Sequence, residues 1–548
     1  MKYYFQKNYP VIATLLILAG LLLITSQQIL SQTGGHYCYP LDDTFIHMSI
    51  AKNFALHGMW GINAQEYSAA SSSPLYTIIL AALFKIGINS IWMPFYVNVF
   101  FAMLLIITTD KLLQHFRMIA SARFVTLLLI ILLVPVTVMV ASGMEHLLHG
   151  FLAMLLLYRS VIFLQDENIN SKQVLLTALV AGLSIVARFE SLFLLAGIIA
   201  IGIYNRKWLP AGLLLLLSLV PLVVFGCISM RHGGYFLPNS VLLKGSHLGG
   251  SIEQFKSSLQ EIIVYKLIFG NNTMVNIFTN RYYPEGSSSL SGTTLVRLLM
   301  IIPALILLAK PGKQISQLAC IPLVATFLHL ALASVGWLFR YEAYLVAMDL
   351  AVIALLCNVY IKQLALKFRL YTLLEKLIFL FLVLFVLSPL PMRALGAYHN
   401  LPLASRNIYE QQYQMGTFLH QHYEHTAVAA NDIGAISYLS DNTIIDLWGL
   451  GSNVVANSKL KGYYTPDFLN KFSNQQQVKI AIVYDSWFDS TLLNNWKKIA
   501  VWKISNNVIC GSDEVSFYAV DPAAADTLRE NLKAFRHHLP ADVLITEQ

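Results

Sequence analysis

The chain has 548 residues, of which 56% are apolar and only 12% charged. That charged fraction is about half of what soluble domains carry, so the chain cannot cover itself with polar surface in water and a water-soluble globular enzyme is excluded. The net charge of +8 does not indicate nucleic-acid binding, because Lys and Arg cluster between apolar runs in the positive-inside pattern of membrane proteins.

The N-terminus reads as an uncleaved first span: residues 1–7 are followed by an apolar run over 11–24, and no small-x-small cleavage site follows. Further runs near the roughly 20 residues needed to cross a bilayer lie at 91–109, 123–141, 146–164, 173–187, 190–205, 208–229, 294–309, 314–334, 343–360 and 376–390. One more run, 74–86, is short and opens on Pro74. If it stays at the interface, Lys111, Arg117, Arg123, Lys172, Arg206, Lys207, Lys310, Lys313, Lys362, Lys367, Arg369 and Lys376 all fall inside. The expected architecture is therefore a polytopic α-helical membrane protein of about eleven spans, N-terminus in and C-terminus out.

Three segments then face outward: the loops 31–90 and 230–293, and the tail 391–548. The tail alternates short apolar runs at 426–430, 443–447 and 478–483, bounded by Asn, Asp and Gly, with helical stretches at 409–422 and 523–535. It is expected to be a C-terminal extracytoplasmic α/β domain beside a membrane body of residues 1–390. Cys38, Cys227, Cys320, Cys357 and Cys510 are scattered without a CxxC and specify neither a zinc site nor a disulfide framework.

The residues able to carry chemistry collect at outward span ends. Asp42 and Asp43 open a helix whose stripe of Phe45, Ile46, Ile50, Ala51, Phe54 and Ala55 stops at Gly58, which predicts a helix lying on the bilayer surface with its stripe down. Neighbouring residues on a helix do not share a face, so one acid can point into a cavity while the other supports it. Both also suit the dipole at a helix start. Glu66 and Tyr67 precede Ser71-Ser72-Ser73-Pro74, where serine caps and proline at the first turn make a helix start.

Ser142-Gly143-Met144-Glu145-His146 forms a second outer turn. An acid at a membrane boundary is costly and marks function more often than one on a soluble surface. His146 and His149 beside Glu145 also make a candidate metal set. Arg188-Phe189-Glu190 sets an ion pair between two apolar runs. Tyr235-Phe236-Leu237-Pro238-Asn239-Ser240 with Lys244, and Arg340-Tyr341-Glu342, sit at further outer span ends. Arg188, Lys244 and Arg340 are exceptions to the charge rule that orders the rest of the chain, which points to an anionic ligand. In the tail, Asp432 in Asn431-Asp432-Ile433-Gly434-Ala435 and Asp446 in Ile445-Asp446-Leu447-Trp448 end strands and are placed to cap turns.

The order of these motifs resembles the GT-C superfamily of integral-membrane glycosyltransferases. It is most similar to the bacterial branch with the mycobacterial-type terminal arabinofuranosyltransferases, and more distantly to protein O-mannosyltransferases and lipid A aminoarabinose transferases. The resemblance implies a sugar donor on a polyprenyl phosphate, used at the outer face of the bacterial inner membrane. It assigns Asp42 as the catalytic acid with Asp43 beside it, and Glu145 as the second outer acid. It puts the donor phosphate near Lys244 and Arg340; Arg188 and Tyr341 are further candidates for the phosphate, and Glu66, Tyr67, Ser73, Glu190 and Asn239 are candidate substrate contacts. Relatives commonly have Arg-Pro-Glu where this chain has Arg188-Phe189-Glu190, and Leu where it has Met144.

The chemistry fits those residue types. A carboxylate takes the proton of an acceptor hydroxyl, and cations hold a lipid phosphate that leaves as a stable anion. The acceptor is a glycan, glycolipid or protein; membrane lipids surround the body, and nucleic acid is no partner. No cofactor is assigned, and a divalent metal is neither required nor excluded, since some members of the family use one and others do not. Two other readings stay open on the residues alone. A transporter or flippase would explain acids and bases at membrane depth, but it predicts paired broken helices in related halves. A non-catalytic outer scaffold leaves the motifs of loop 31–90 unexplained.

Overall fold

In a computed structural model the described residues are 2–165, 170–244, 284–370 and 372–548. They are helical up to residue 422 and mixed α/β after it. Every expected span coincides with a helix, but their lengths separate them. Among the described residues seven helices are long and apolar enough to cross a membrane: Asn8–Gln32, Met93–His115, His146–Leu164, Trp208–Arg231, Leu290–Ala309, Lys313–Leu332 and Ala343–Tyr360. An eighth candidate is a broken one, Ala120–Leu133 and Val136–Ser142, bent by 46° at Pro135, whose ring interrupts the hydrogen-bond ladder. The helices Ser171–Ala187, Ser191–Tyr204 and Leu373–Leu387 have 17, 14 and 15 residues. At about 1.5 Å per residue they reach only about 21–26 Å, short of a bilayer core of roughly 30 Å. Among the described residues seven helices, or eight with the bent pair, have span length and composition, and the other three expected runs are these shorter apolar helices. The run at 74–86 forms the helix Pro74–Lys85, also too short to cross.

The chain divides into two compact units. The first gathers the described residues of Met1–Thr25, Phe95–Val223 and His247–Asn400. Its helices His146–Leu164 and Ala343–Tyr360 are each 67% buried along their apolar windows and form the interior. Leu209, Leu216, Leu307 and Leu374 stand open on the outer helices, as a lipid-facing surface requires.

The second unit gathers Ser26–Pro94, Val224–Ser246 and Leu401–Gln548. Its centre is a six-stranded sheet of β1 (Ala427–Ala430), β2 (Thr443–Asp446), β3 (Ile480–Val483), β4 (Lys497–Lys503), β5 (Glu514–Ala519) and β6 (Leu544–Glu547), in the order β2-β1-β3-β5-β4-β6. The first three are parallel and the rest antiparallel. Of the parallel strands β1 and β3 are apolar throughout and largely buried, while β2 carries Thr443 and Asp446 at its ends; burial on both faces is usual for parallel strands that helices cover. One face packs Ala429, Ile445, Leu469, Ala481, Val483 and Tyr518; on the other, the rings of Phe418, Trp502, Phe517 and Phe535 lie 4.4–5.9 Å apart.

The expected strands at 426–430, 443–447 and 478–483 are β1, β2 and β3. The stretch 409–422 is helical, opening with a π turn at Tyr409–Tyr413 before Gln414–His422. The helix Asp42–His57 is where the sequence put it, and Gly58 ends it with φ 70°, a conformation glycine adopts freely. Its setting differs from the expectation. It is not a surface helix with one apolar stripe down: Thr44 to Ala51, Asn53 and Ala55 are all buried, including polar His47 and Ser49. The helices Pro74–Lys85 and Gly434–Leu439 pack on it, so there is no free polar face.

Candidate active site

The acid pair sits on the first turn of helix Asp42–His57, after an N-cap, Leu41, that has no side-chain cap. Neither acid is the N-cap; both lie in the first turn of the helix. Asp42 instead reaches to the C-terminal sheet. Its Oδ2 accepts the amide of Gly434 at 2.6 Å and its Oδ1 the amide of Ala435 at 2.8 Å. These amides follow β1 and begin the helix Gly434–Leu439. Burial pushes the Asp42 carboxyl up, helped by the charges of Asp432 and Asp43 and opposed by the two amide bonds, to about 8.

Asp432 lies just past the end of β1 and is tied to two other segments. Its Oδ2 accepts the hydroxyl of Tyr484 at 2.6 Å and the amide of Gln412 at 2.7 Å. Asp446 caps a turn: it accepts the amides of Trp448 at 2.7 Å and Gly451 at 2.5 Å.

Of the other second-unit candidates, Asn239 and Tyr67 are linked through Asn453. Asn239 is buried; its amide nitrogen donates to Leu450 O and to Asn453 Oδ1, and Asn453 in turn donates to Tyr67 O. Tyr67 stacks on His232 with ring centroids 5.0 Å apart. Glu66 is exposed. Ser73 is buried and caps helix Pro74–Lys85 through the amide of Tyr76, with Pro74 at the first turn. Beside it His47 Nδ1 lies 3.0 Å from the Thr77 hydroxyl. The side chain of Lys244 and residues 245–283 of the expected loop 230–293 lie outside the described residues.

The first unit holds the second constellation. Glu145 is fully buried and pairs with Arg188 at 2.8 Å. Gly143 makes this possible by ending helix Val136–Ser142 with φ 68°. Arg188, in the break between helices Ser171–Ala187 and Ser191–Tyr204, also clasps Glu190 through two of its nitrogens. The guanidinium of Arg188 lies 5.4 Å from the Tyr341 ring centre and that of Arg340 5.0 Å from the same ring, within cation–π range. Thus Glu145, Arg188, Glu190, Arg340 and Tyr341, more than 190 residues apart in sequence, form one cluster. His149 does not join Glu145: its Nε2 lies 2.9 Å from the Ser191 hydroxyl. Among the described residues no three His, Cys, Asp or Glu side chains gather as a metal site.

A support for this cluster was not legible in the sequence. Gly336, Trp337, Leu338 and Phe339 all have positive φ, from 51° to 88°, although left-handed backbone costs non-glycine residues about 1–2 kcal/mol each. Glu342 holds one end of this turn by accepting the Gly336 amide at 2.9 Å. Arg393 holds the other by donating to Phe339 O at 2.7 Å, and pairs with Glu342 at 2.9 Å. Arg340 and Tyr341 follow this turn directly, between Phe339 and Glu342 in sequence. Arg393 follows the last apolar run as an isolated basic residue, the one signal that could have marked it.

Comparison with known proteins agrees with this architecture. ArnT from Cupriavidus metallidurans, in the structure bound to undecaprenyl phosphate, superposes with a TM-score of 0.52 at 12% identity, over 93% of this chain and 98% of ArnT. Its apo structure gives 0.54 at 11% identity over the same shares. The apo oligosaccharyltransferase of Archaeoglobus fulgidus gives 0.52 at 13% identity, over 99% of this chain and 76% of that protein. The chain has the GT-C fold. Within it, residues 406–518 match the sequence family described as a domain of unknown function, DUF8728. No curated protein matches the sequence. The matched segment begins in helix Pro389–Ile408, runs through β1 to β4 and ends in β5, and it contains the two amides that hold Asp42.

Proposed function

We propose that this protein is a glycosyltransferase that moves a sugar from a polyprenyl-phosphate donor to an acceptor hydroxyl on the outer face of the cell membrane. The observation that carries the reading is the Asp42 carboxylate: two fixed backbone amides orient it, and each oxygen keeps a lone pair. It supports the role of general base, for which orientation and a raised pKa are both useful. The shared fold raises the prior without deciding function.

In the step we propose, the acceptor oxygen attacks the anomeric carbon from the face opposite the phosphate. Asp42 takes the hydroxyl proton as the new C–O bond forms, and Asp43 supports it. The bond from the anomeric carbon to the phosphate oxygen breaks, and its electron pair leaves on the polyprenyl phosphate. One displacement inverts the carbon. Arg188, Arg340, Tyr341 and Lys244 serve the phosphate, with Glu145 and Glu190 fixing the Arg188 fork. Glu66, Tyr67 and Asn239 serve the substrates, and Ser73 supports them as a helix cap. The resemblance to arabinofuranosyltransferases makes a pentose the first donor to try and hexoses the second. The C-terminal sheet domain is then extracytoplasmic.

The test is release of polyprenyl phosphate by the purified protein in detergent, with a panel of undecaprenyl-phosphate pentoses and hexoses. Asp42→Asn abolishes turnover and leaves the size-exclusion profile intact. Near-normal turnover in that variant rejects Asp42 as base. Accumulation of solute in sealed vesicles with no transfer favours the transporter instead.

A further inference from the structure

We infer that the 431–435 loop of the DUF8728 segment is a built part of the acid site: the amides of Gly434 and Ala435 orient the Asp42 carboxylate, and Asp432, held by Tyr484 and Gln412, is its electrostatic partner. The inference rests on the transferase reading for its consequence in catalysis, and on geometry for the rest.

The contact is too specific for casual packing. Two consecutive backbone N–H groups meet the two oxygens of one carboxylate. Backbone donors cannot swing away as side chains do, so the plane of the carboxylate is set by the sheet. Gly434 is required for the approach, not for its φ. A Cβ there would lie 2.0 Å from Asp42 O and 2.7 Å from Asp42 Cγ and Oδ2. An acid that only stabilised the fold would not need a second carboxylate beside it. Yet Asp432 is close enough for its charge to act on Asp42, and a hydrogen-bond network keeps it there. Tyr484 Oη lies 2.6 Å from both Asp432 Oδ2 and Gln411 Oε1, Gln412 Nε2 reaches the same Asp432 oxygen at 2.7 Å, and Cys510 Sγ donates to Gln412 Oε1 at 3.4 Å.

The groups that face Asp42 come from several elements. Asp43 lies on its own helix, Cys38 on the segment before it, Asp432 after β1, Tyr484 after β3 and Cys510 before β5. Tyr409 and Tyr413 of the π turn reach Cys38 from behind. Burial acts most strongly on Asp42 and the Asp432 charge comes next, ahead of the two amide bonds and of Asp43, and like charges raise each other's hold on a proton. Taking away the Asp432 charge therefore lowers the pH at which Asp42 ionises.

The experiment uses the full chain in detergent and two readouts from pH 5 to 10: the initial rate of transfer from an undecaprenyl-phosphate sugar, and carbodiimide labelling of Asp42 followed by mass spectrometry. In Asp432→Asn the acidic limb of the rate profile and the labelling midpoint both move down, by on the order of one pH unit. Tyr484→Phe removes a hydroxyl that stabilises ionised Asp432, so both midpoints move the same way by less. Rates lowered equally at every pH, with an unmoved labelling midpoint in both variants, overturn the inference and leave Asp432 a structural residue. Should Asp432→Asn fail to fold, Tyr484→Phe decides alone. If the wild type transfers no sugar, the transferase reading fails, and the labelling midpoint still tests the pairing of Asp42 with Asp432.

Discussion

Removal of Arg393 is the perturbation whose outcome the structure fixes most tightly. Arg393 and Glu342 are both fully buried, and Glu342 accepts from Arg393 Nε at 2.9 Å, Ser291 Oγ at 2.5 Å and the Gly336 amide at 2.9 Å. Arg393 also donates to Phe339 O at 2.7 Å and Leu133 O at 3.1 Å. Arg393→Leu leaves a buried carboxylate without its counter-ion, which costs about 3–5 kcal/mol. It also releases one clamp of a turn whose three left-handed non-glycine residues hold about 3–6 kcal/mol of backbone strain. The double variant Arg393→Leu/Glu342→Leu removes both charges, and replacing a buried pair by apolar side chains is close to neutral. The cycle therefore has a signature: each single variant unfolds at a markedly lower temperature in detergent, and the double variant recovers part of the loss. The Gly336 amide and Ser291 hydroxyl lose their acceptor in the double, so recovery is incomplete. A single variant as stable as wild type, or a double no better than the worse single, refutes the argument that the charges act as a pair.

Gly434→Ala forces the Asp42 backbone and carboxylate apart, and a misplacement of about 1 Å in a reacting group can lower a rate on the order of a hundredfold; turnover near wild type in the transfer assay contradicts the close approach. Arg188→Lys replaces a fork that spans Glu145 and Glu190 by a point charge. Charged hydrogen bonds are worth about 1.5–3 kcal/mol each, so undecaprenyl-phosphate binding by native mass spectrometry weakens at least about tenfold, and unchanged binding removes Arg188 from the phosphate site. Asp446 is raised to about 6 by burial against its amide bonds and the Lys459 charge, and Lys459 is lowered to about 8 by burial despite Asp446. For the acid the native state binds the proton more tightly than the unfolded chain, so stability falls as pH rises from about 4 to 6. For the lysine the unfolded chain binds more tightly, so stability rises between about 8 and 10.5. Thermal unfolding across pH 4–10.5 shows a minimum between these windows, and Asp446→Asn flattens its acidic side; an unchanged acidic side shows that another group titrates there.

What the sequence made legible follows from how local each feature is. Helix positions came through because an apolar run of span length has one stable solution in a bilayer. Strands β1 to β3 came through because parallel strands are short apolar blocks between turn residues. Strands β4 to β6 were harder: Lys497–Lys503 and Glu514–Ala519 mix charge with apolar residues, and only antiparallel pairing makes sense of the alternation. Among the site residues, Asp42, Glu145, Arg188 and Arg340 stood out because charge at a span end is expensive. Their partners did not. Gly434 sits 392 residues from Asp42, Tyr484 is one of 27 tyrosines, and the left-handed turn at 336–339 is held by contacts 51 and 54 residues away. The surface-helix expectation for Asp42–His57 failed for the same reason: a stripe predicts one covered face, and only tertiary contacts add the second.

That second covering explains why the first loop and the tail form one unit. The edge strand β2 would present open N–H and C=O groups to any passing strand. Asn63 closes it: its side-chain amide donates to Ile444 O and accepts from Ile444 N, both at 2.9 Å, imitating one rung of a ladder. Asn53, on the helix that carries the acids, in turn donates to Gly61 O and Ile62 O at 2.9 Å, fixing the backbone just before Asn63. The same helix reaches the sheet again through Asp42 at its other end. Two polar attachments, one at each end of a buried helix, leave it little freedom to slide or rotate against the strands. The proposed mechanism, in which Asp42 meets a hydroxyl within hydrogen-bond reach, calls for that rigidity, and a loop tethered only to the bilayer would not provide it. The C-terminal sheet is therefore best understood as the scaffold on which the acid pair is held.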